Sequence, residues 1–451
     1  MNFFEIYKKV DDFVNEKYSF LGFNRKREIK RLIFEISKKR KIFDPSFVPE
    51  FKNYNQFKKE LLKIRYPYSI KEYSLNSFYL PNLELDEKEV FNPNQERNIS
   101  EIIVEKKYLQ NIILEKLKNK FPKAKFRFID SFKEIKKFFS IENYNRRVEK
   151  IYIVEEVYDL LKNCPCTKRC ISCNYYVLNL NFGCPMECQY CYLQSYQNFD
   201  GIIINPNIDD YINALKSKFK NLKRKIRVGN GEFSDSLYYD DISEYSIRII
   251  DGLKDLKNIY FEFKTKTDNV DNFFKVKPSE NIVVSYSLNP DEIIKKTEFF
   301  TTSMDMRIEC LKRLSNYGYN VGVHFDPVIK FDNWQDLYYK CIKTLFDNVD
   351  LNKIKWISIG SFRFAPETKK VIEKRFPDNI ILDEEMIIDF DGKLRYPYSF
   401  RLKLYKTIIE FIKSFGYPLE RIYLCMEEKK IWDEVGLKYQ FRWEDLNESE
   451  R

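Results

Sequence analysis

From about residue 175 the chain settles into a repeated order: a short apolar, strand-like run, a polar motif, then a stretch with helical spacing. The runs are Tyr175–Phe182, Lys225–Val228, Asn258–Phe263, Asn281–Leu288, Asn320–Phe325 and Trp356–Ser361, with Ile422–Met426 as a late extra. Helical patterns fill 207–223, 241–256, 303–317, 333–347, 367–375 and 400–415. Strands alternating with helices imply a parallel sheet with right-handed crossovers. Six such units predict an α/β fold built on a partial (β/α)6, TIM-like barrel, with its chemistry at the C-terminal ends of the strands.

Ahead of this body the pattern is less regular. Residues 1–40 read as two helices, the second carrying RKREIKRLIFEISKKRK (Arg25 to Lys41), whose Leu32, Ile33 and Ile36 keep helical spacing. That makes it an amphipathic surface helix with a basic face. Residues 42–98, with prolines at 45, 49, 67, 81 and 93, read as an irregular connector with short helices. A strand at Glu101–Val104, a helix at Lys107–Phe121, a strand at Phe126–Ile129 and a helix at Phe132–Phe139 form a small α/β module. The expected organisation is a basic helical accessory region (1–98), the α/β module (99–163), a cysteine-rich loop (164–174), the barrel (175–430) and a C-terminal tail (431–451). No internal repeat of fixed period is visible.

Charge changes this picture in one place. Residues 1–150 hold 34 Lys and Arg against 22 Asp and Glu, an excess of +12, whereas the remainder balances to −2. A basic N-terminal region beside a neutral body suits a polyanion, so DNA is an expected partner; the alternative is a solvated lysine-rich helical unit with no ligand. The apolar share is 44% in a chain of 451 residues, ample for two or three domains. No uncharged apolar run is long enough to span a membrane, and the N-terminal stretch MNFFEIYKKVDDFVNEKY lacks a signal-peptide core. A cytoplasmic location without a membrane partner is therefore expected. There the ten cysteines are reduced or bind metal.

Candidate chemistry centres on Asn174 to Gln197, NYYVLNLNFGCPMECQYCYLQSYQ, where Cys184, Cys188 and Cys191 follow a strand and the Gly183 turn. Three thiolates so placed can hold three irons of a [4Fe–4S] cube and leave the fourth open to a ligand. The alternative is a zinc knuckle or three buried thiols, but zinc prefers four ligands and the one histidine, His324, is distant in sequence. In spacing, the loop resembles the cluster loop of the radical S-adenosylmethionine (SAM) superfamily. A second group, Cys164, Cys166, Cys170 and Cys173, is either a metal site or a thiol-rich loop over the barrel mouth; Cys310, Cys341 and Cys425 read as buried core thiols.

Polar motifs fall at the end of each strand: Gly229-Asn230-Gly231-Glu232-Phe233-Ser234-Asp235, Lys264 to Asn269, Ser285 to Pro290, His324-Phe325-Asp326-Pro327 and Gly360 to Arg363. Gly229 and Gly231 permit close backbone approach to a ligand, and Glu232 can accept from an ammonium. Lys266 is a point charge suited to a carboxylate or phosphate. Ser234, Ser287 and Asn289 suit ribose or carboxylate contacts, each with a turn or capping role as its alternative. His324 and Asp326 are candidates to line the cavity.

GCPMECQYCYLQ (183–194), GEFSDSL (231–237), KTKTDNVDN (264–272), SYSLNP (285–290), GVHFDPVI (322–329), WISIGSFRF (356–364) and DGKLRYP (391–397) together resemble the spore photoproduct lyase family of radical SAM proteins, over about residues 150 to 430. The resemblance implies a [4Fe–4S] cluster at Cys184, Cys188 and Cys191 and SAM cleaved to a 5′-deoxyadenosyl radical. It also implies a low-potential electron donor and, in the spore enzymes, reversal of a thymine dimer lesion in DNA. By the same resemblance Tyr190 and Tyr192 are the catalytic tyrosines flanking the last cluster cysteine, and GNGE, Ser234, Lys266 and Ser287 contact SAM. One departure stands out: the spore enzymes carry a hydrogen-returning cysteine where this chain has Glu232. The expected function is a lyase-like radical SAM enzyme acting on pyrimidine damage in DNA. The alternatives are a radical SAM enzyme acting on RNA, a peptide or a small molecule, or a structural metal-binding nucleic-acid protein.

Overall fold

The first 40 residues pack by helical spacing. In the helix Phe3–Lys17 (α1), Ile6, Val10 and Val14 recur every four residues and are buried, as a core-facing stripe requires. They meet Ile29, Leu32 and Ile33 of Phe23–Arg40 (α2) and Phe57 and Leu61 of Tyr54–Arg65 (α3) in a core of their own. The connector is thus more ordered than its prolines suggest: Asn53 caps α3 by accepting from the Gln56 amide, which fixes the helix start. The structure, a computed structural model, describes residues 3–135, 140–155, 161–167 and 169–438.

The expected basic face of α2 is corrected here. Residues 29 and 31–38 of α2 are buried, Arg31 and Lys38 among them. Arg31 Nη1 donates to Glu373 at 2.5 Å and Nε to the Pro81 carbonyl, while Lys38 pairs with Asp383. These cations are used to seat the helical unit on the C-terminal half of the chain; Arg25, Lys39, Arg40 and Lys41 remain exposed.

The α/β module also differs from its expected bounds. Strands Glu101–Glu105, Lys125–Ile129 and Lys150–Ile153 are parallel, but Ile202–Ile204 and Asn181–Phe182 complete the same five-stranded sheet. The module therefore takes strands from both sides of the cysteine loop. The helix expected at Lys107–Phe121 begins at Ile112, because Asn111 caps it and Lys106–Tyr108 forms a 3-10 turn. That expected at Phe132–Phe139 is a 3-10 turn over Phe132–Glu134, and its last residues lie outside the described ones.

The main sheet runs Leu161–Asn163 (β1), Tyr175–Leu178 (β2), Ile226–Gly229 (β3), Ile259–Thr265 (β4), Ile282–Ser287 (β5), Asn320–Val328 (β6), Ile354–Ser361 (β7) and Ile422–Leu424 (β8). Its spatial order follows the sequence, β2 to β8 are parallel, and β1 is antiparallel to β2. The run Tyr175–Phe182 splits, its second half crossing to the smaller sheet. Leu161–Asn163, expected in the α/β module, is an edge strand of the main sheet.

Segment 164–174 is the β1–β2 connection, and it reaches across to the far edge of the curled sheet. Ile171 N–H donates to the Glu427 carbonyl at 3.0 Å and Cys170 bridges Glu428, just past β8. Strand tilt in a rolled sheet brings the start of one edge strand level with the end of the other. Arg227 spans the same seam, its guanidinium lying 4.3, 4.9 and 4.9 Å from the rings of Tyr175, Trp356 and Tyr423. The expected tail instead includes the helix Lys429–Glu434, with Trp432 buried. Among the described residues no helix is long and apolar enough to cross a membrane.

Candidate functional site

The loop bearing Cys184, Cys188 and Cys191 is held by buried arginines. Arg147 donates to the carbonyls of Cys184 (2.6 Å) and Met186 (3.0 Å) and to Glu187 Oε1 at 2.6 Å. Arg375 meets Glu187 Oε2 at 2.7 Å and Gln194 Oε1 at 3.0 Å. Burial works to raise Glu187, but the two guanidiniums outweigh it and hold its carboxyl below the usual range. The loop is thereby fixed through the backbone carbonyls of Cys184 and Met186 and the Glu187 carboxylate. Burial pushes the Cys184 thiol up to about 12, with Asp235 and Cys191 adding to the effect, and raises Cys188 and Cys191 likewise. Cys184 and Cys191 pack against one apolar cluster that includes Phe182, Leu193 and Phe233.

The turn after β3 is locked to the end of β4 by Asp235. Its Oδ1 accepts from the Leu237 and Tyr238 amides (2.9 and 3.1 Å) and from Thr265 Oγ1 (2.8 Å); its Oδ2 accepts from the Lys266 amide (2.9 Å). This ties the turn that carries Ser234 to the Lys266 backbone at the end of β4. Ser234 Oγ and both polar atoms of the Asn230 amide are buried without a hydrogen-bond partner, a cost of about 1–3 kcal/mol each unless a ligand supplies one. The Lys266 ammonium lies 5.5 Å from the Tyr190 ring centroid, and Cys188 and Glu298 favour its charge against burial.

Other expected contacts are placed differently. A Cβ at Gly229 would stand 1.8 Å from the Tyr175 hydroxyl, and one at Gly231 would stand 3.1 Å from Lys264 Cβ. Gly229 thus admits a protein side chain, not a ligand. Glu232 is paired with Lys162 Nζ of β1 at 3.1 Å, and its carboxyl is raised by burial. Asn289 has both amide atoms engaged, Nδ2 on Glu298 (2.8 Å) and Oδ1 accepting from Tyr338 (2.6 Å), so it is a structural bridge. Ser287 is buried at the end of β5, its carbonyl accepting from Arg307. Tyr190 donates to Glu298 Oε1 at 2.5 Å, and Tyr192 to the Glu232 carbonyl at 2.8 Å. Burial acts to raise Glu298, yet Arg307 and Lys266 pull it down to about 2.

His324 and Asp326 belong to two buried networks. Glu262 Oε1 meets His324 Nε2 (2.8 Å), Trp356 Nε1 (2.8 Å) and Ser285 Oγ (2.5 Å), and Arg227 Nε approaches Oε2 at 3.8 Å. Burial, then the charge of Lys264, lowers His324 to about 4 despite Glu262. The ring is therefore neutral near pH 7, with Nε2–H donating to the carboxylate and Nδ1 accepting from Ser358 Oγ (2.6 Å). Asp326 pairs with Arg363 at 3.0 Å, and Arg363 Nη2 also meets Cys425 Sγ at 3.3 Å. Cys425 is thus half-exposed at the end of β8, not a core thiol, whereas Cys310 and Cys341 are fully buried.

A pH dependence follows from His324. Unfolded, the imidazole protonates near 6.5; folded, only near 4. The unfolded chain binds the proton first between those values, so stability present above pH 6.5 is lost as pH falls toward 4. Urea unfolding at pH 6.5 and 4.5 should show a loss of about 2–3 kcal/mol from this group, and His324→Gln should remove that share. An unchanged slope in the variant contradicts the neutral-histidine assignment.

Seven parallel strands in a curled sheet, with three loop cysteines following the first of them, define the class of α/β half-barrel proteins. Within that class, the family model of spore photoproduct lyase matches residues 166–398, and the chain belongs to the spore photoproduct lyase family. The curated spore photoproduct lyase of Clostridium acetobutylicum is 28% identical over 213 residues, 47% of this chain and 63% of the relative. That of Bacillus subtilis is 28% identical over 226 residues, again 47% and 63%. The matched part spans about 63% of these relatives' length. Among solved structures, a spore photoproduct lyase mutant with bound AdoMet and dinucleoside spore photoproduct aligns with TM-score 0.61 and 21% identity, over 74% of this chain and 100% of that one. Another mutant, with the dinucleoside photoproduct, gives 0.62 and 22%, over 73% and 99%. These likenesses establish the fold.

The donors present fit the iron–sulfur cluster that the family implies. Among the described residues no three His, Cys, Asp or Glu side chains converge on a single ion. A cubane instead places each thiolate on a different iron, and the free thiols of Cys184, Cys188 and Cys191 on one loop supply the three it needs. The unpartnered Ser234 and Asn230, on the turn whose Phe233 carbonyl accepts from the Gly183 amide of the cysteine loop, suit a polar ligand. Sequence reasoning did not single out Asn230, Asp235 and Glu187. The first two stand inside the GNGEFSD motif, which was a usable signal; the role of Glu187 depends on Arg147 and Arg375, remote in sequence.

Proposed function

We propose that this chain is a radical SAM enzyme of the spore photoproduct lyase kind, with a (β/α)6 half-barrel closed by the β1–β2 hairpin. Cys184, Cys188 and Cys191 would hold a [4Fe–4S] cluster, which when bound supplies the electron that cleaves SAM to a 5′-deoxyadenosyl radical. The observation that carries the reading is the buried, unpartnered Ser234 hydroxyl, on a turn that Asp235 ties to the Lys266 amide and that the Gly183 amide, next to Cys184, joins through the Phe233 carbonyl at 2.9 Å. In this reading Lys266 binds the SAM carboxylate and Ser234 and Asn230 hydrogen-bond its polar groups. Tyr192 and the Glu232 turn border the ligand, and Tyr190 buttresses Lys266 through Glu298. Gly231 and Ser287 lie at the same strand ends. A low-potential electron donor is required, and the location is cytoplasmic.

The relatives' activity supports, as the substrate of this reading, a pyrimidine photoproduct in DNA, with exposed Arg25, Lys39, Arg40 and Lys41 meeting phosphate. Glu232 has no thiol to return a hydrogen atom, which leaves a second reading in which the same machinery acts on another substrate. Reconstituted protein given a dinucleoside spore photoproduct should release the repaired dinucleotide under the first reading and none under the second.

The SAM contacts have their own test. Charge-assisted hydrogen bonds are worth roughly 1.5–3 kcal/mol, so Lys266→Ala should weaken SAM binding by about 10- to 150-fold, and Ser234→Ala by less. Iron content should stay unchanged. Because Glu232 is already paired with Lys162, Glu232→Ala should have the smaller effect; equal affinity in wild type and both Lys266 and Ser234 variants contradicts the placement.

A further inference from the structure

Four cysteines on the β1–β2 connection remain outside the proposed site, and two of them are built to react with each other. We propose that Cys164 and Cys166 form a reversible dithiol–disulfide site at the seam of the sheet. The backbone supplies the geometry. Cys166 N–H donates to the Cys164 carbonyl at 2.8 Å, a three-residue γ-turn whose central residue is Pro165. Proline's fixed φ of about −65° lies close to the roughly −75° that an inverse γ-turn needs, so covalent geometry supplies one of the turn's two dihedrals and the Cys166–Cys164 backbone bond holds the other. The sulfurs stand 3.9 Å apart, Cys166 donating to Cys164, and rotation about the side-chain bonds is what remains to reach the roughly 2.05 Å of a disulfide.

The other thiols are differently employed. Cys170 Sγ lies 3.0 Å from Thr167 Oγ1, Cys173 takes Arg227 Nη2 at 3.7 Å, and Cys425 takes Arg363 Nη2 at 3.3 Å. Cys310 and Cys341 are sealed in the core, while Cys164 and Cys166 are partly exposed. A small-molecule disulfide can therefore reach this pair. The Cys166 sulfur attacks one sulfur of the oxidant R–S–S–R, giving a mixed disulfide and releasing R–SH. The Cys164 sulfur then displaces the second R–SH, so that two protein thiols are oxidised and one external disulfide is reduced.

The site is coupled to the strand ends. Lys162, two residues before Cys164, pairs with Glu232, and the Cys164 thiol lies within electrostatic reach of both Glu232 and Tyr192. In the reduced state the Cys164 S–H group faces the Glu232 carboxylate; in the oxidised state it is gone. The proposal stands on the loop alone and is independent of whether the chain cleaves SAM.

The test uses the full chain, fully reduced without added metal and equilibrated anaerobically with mixtures of oxidised and reduced glutathione. It is then acid-quenched, alkylated and digested with trypsin, which isolates Asn163–Lys168 as a peptide holding only Cys164 and Cys166. The first change expected is this peptide appearing unalkylated and lighter by two hydrogens, reversibly, while Cys310 and Cys341 stay alkylatable after unfolding. Cys164→Ser should trap a glutathione adduct on Cys166, and Cys166→Ser should abolish the intrapeptide disulfide. A first disulfide joining Cys170, Cys173 or Cys425 overturns the proposal. So does a pair still fully alkylated in excess oxidised glutathione, or zinc retained on these thiols in the reduced protein.

Discussion

Replacing Glu187 by alanine is expected to destabilise the chain by about 3–5 kcal/mol, because it leaves two buried guanidiniums without their carboxylate. Arg147 and Arg375 are almost wholly inaccessible, as is Glu187, and their pairings are 2.6 and 2.7 Å. The loss does not stop at charge. Arg147 also holds the carbonyls of Cys184 and Met186, so an arginine released from Glu187 frees the cysteine loop to shift. Iron uptake at the loop should fall together with stability. Glu187→Gln, which keeps one acceptor, should lose less of both. Denaturant unfolding of the three proteins settles it: a loss under about 1 kcal/mol for alanine is what an exposed pair gives and contradicts a clamp.

Arg227→Ala should be comparably costly, about 3–5 kcal/mol, and should also change the pH profile. The guanidinium lies against three rings from β2, β7 and β8 and next to the Glu262 carboxylate. Its removal opens a gap across the seam and leaves Glu262 with His324 as its ionisable partner. Arg227 is one of the charges that keep His324 neutral, so in its absence the ring should protonate at higher pH. The acid-linked loss of stability expected between pH 6.5 and 4 should then shrink, since folded and unfolded imidazoles come closer in proton affinity. A variant as stable as wild type, or one with an unchanged acid slope, contradicts the role given to Arg227.

The sheet was readable in advance because each strand of the main body is a continuous apolar run ended by polar residues, the mark of strands buried on both faces. Three features were not. The run at Tyr175–Phe182 looks like one strand, yet its halves join different sheets, a choice made by partners at Ile202–Ile204 and Ile226–Gly229. The basic pattern of α2 looks like a surface because periodicity reports polarity, not pairing; Glu373 and Asp383, more than 300 residues on, turn Arg31 and Lys38 inward. Leu161–Asn163 is too short to carry a strand signal and exists because β2 offers it an edge.

Of the candidate site, Cys184, Cys188 and Cys191, Ser234 and Lys266 can be named from spacing and strand ends alone. Glu232, Asn289 and Asp326 were legible as polar groups at strand ends, but their existing pairings were not. The partners Lys162, Tyr338, Glu298 and Arg363 come from other elements, so no local pattern distinguishes an available carboxylate or amide from an occupied one. The reverse holds for Asn230, whose availability appears only when every neighbour has been accounted for.

The most direct test of the account is anaerobic reconstitution of the full chain with iron and sulfide, followed by dithionite reduction in the presence of SAM. Wild type should bind about four irons per chain and release 5′-deoxyadenosine and methionine. Cys191→Ala should lose the cluster and the cleavage together. Stoichiometric zinc in place of iron at Cys184, Cys188 and Cys191, or undiminished SAM cleavage by Cys191→Ala, contradicts it.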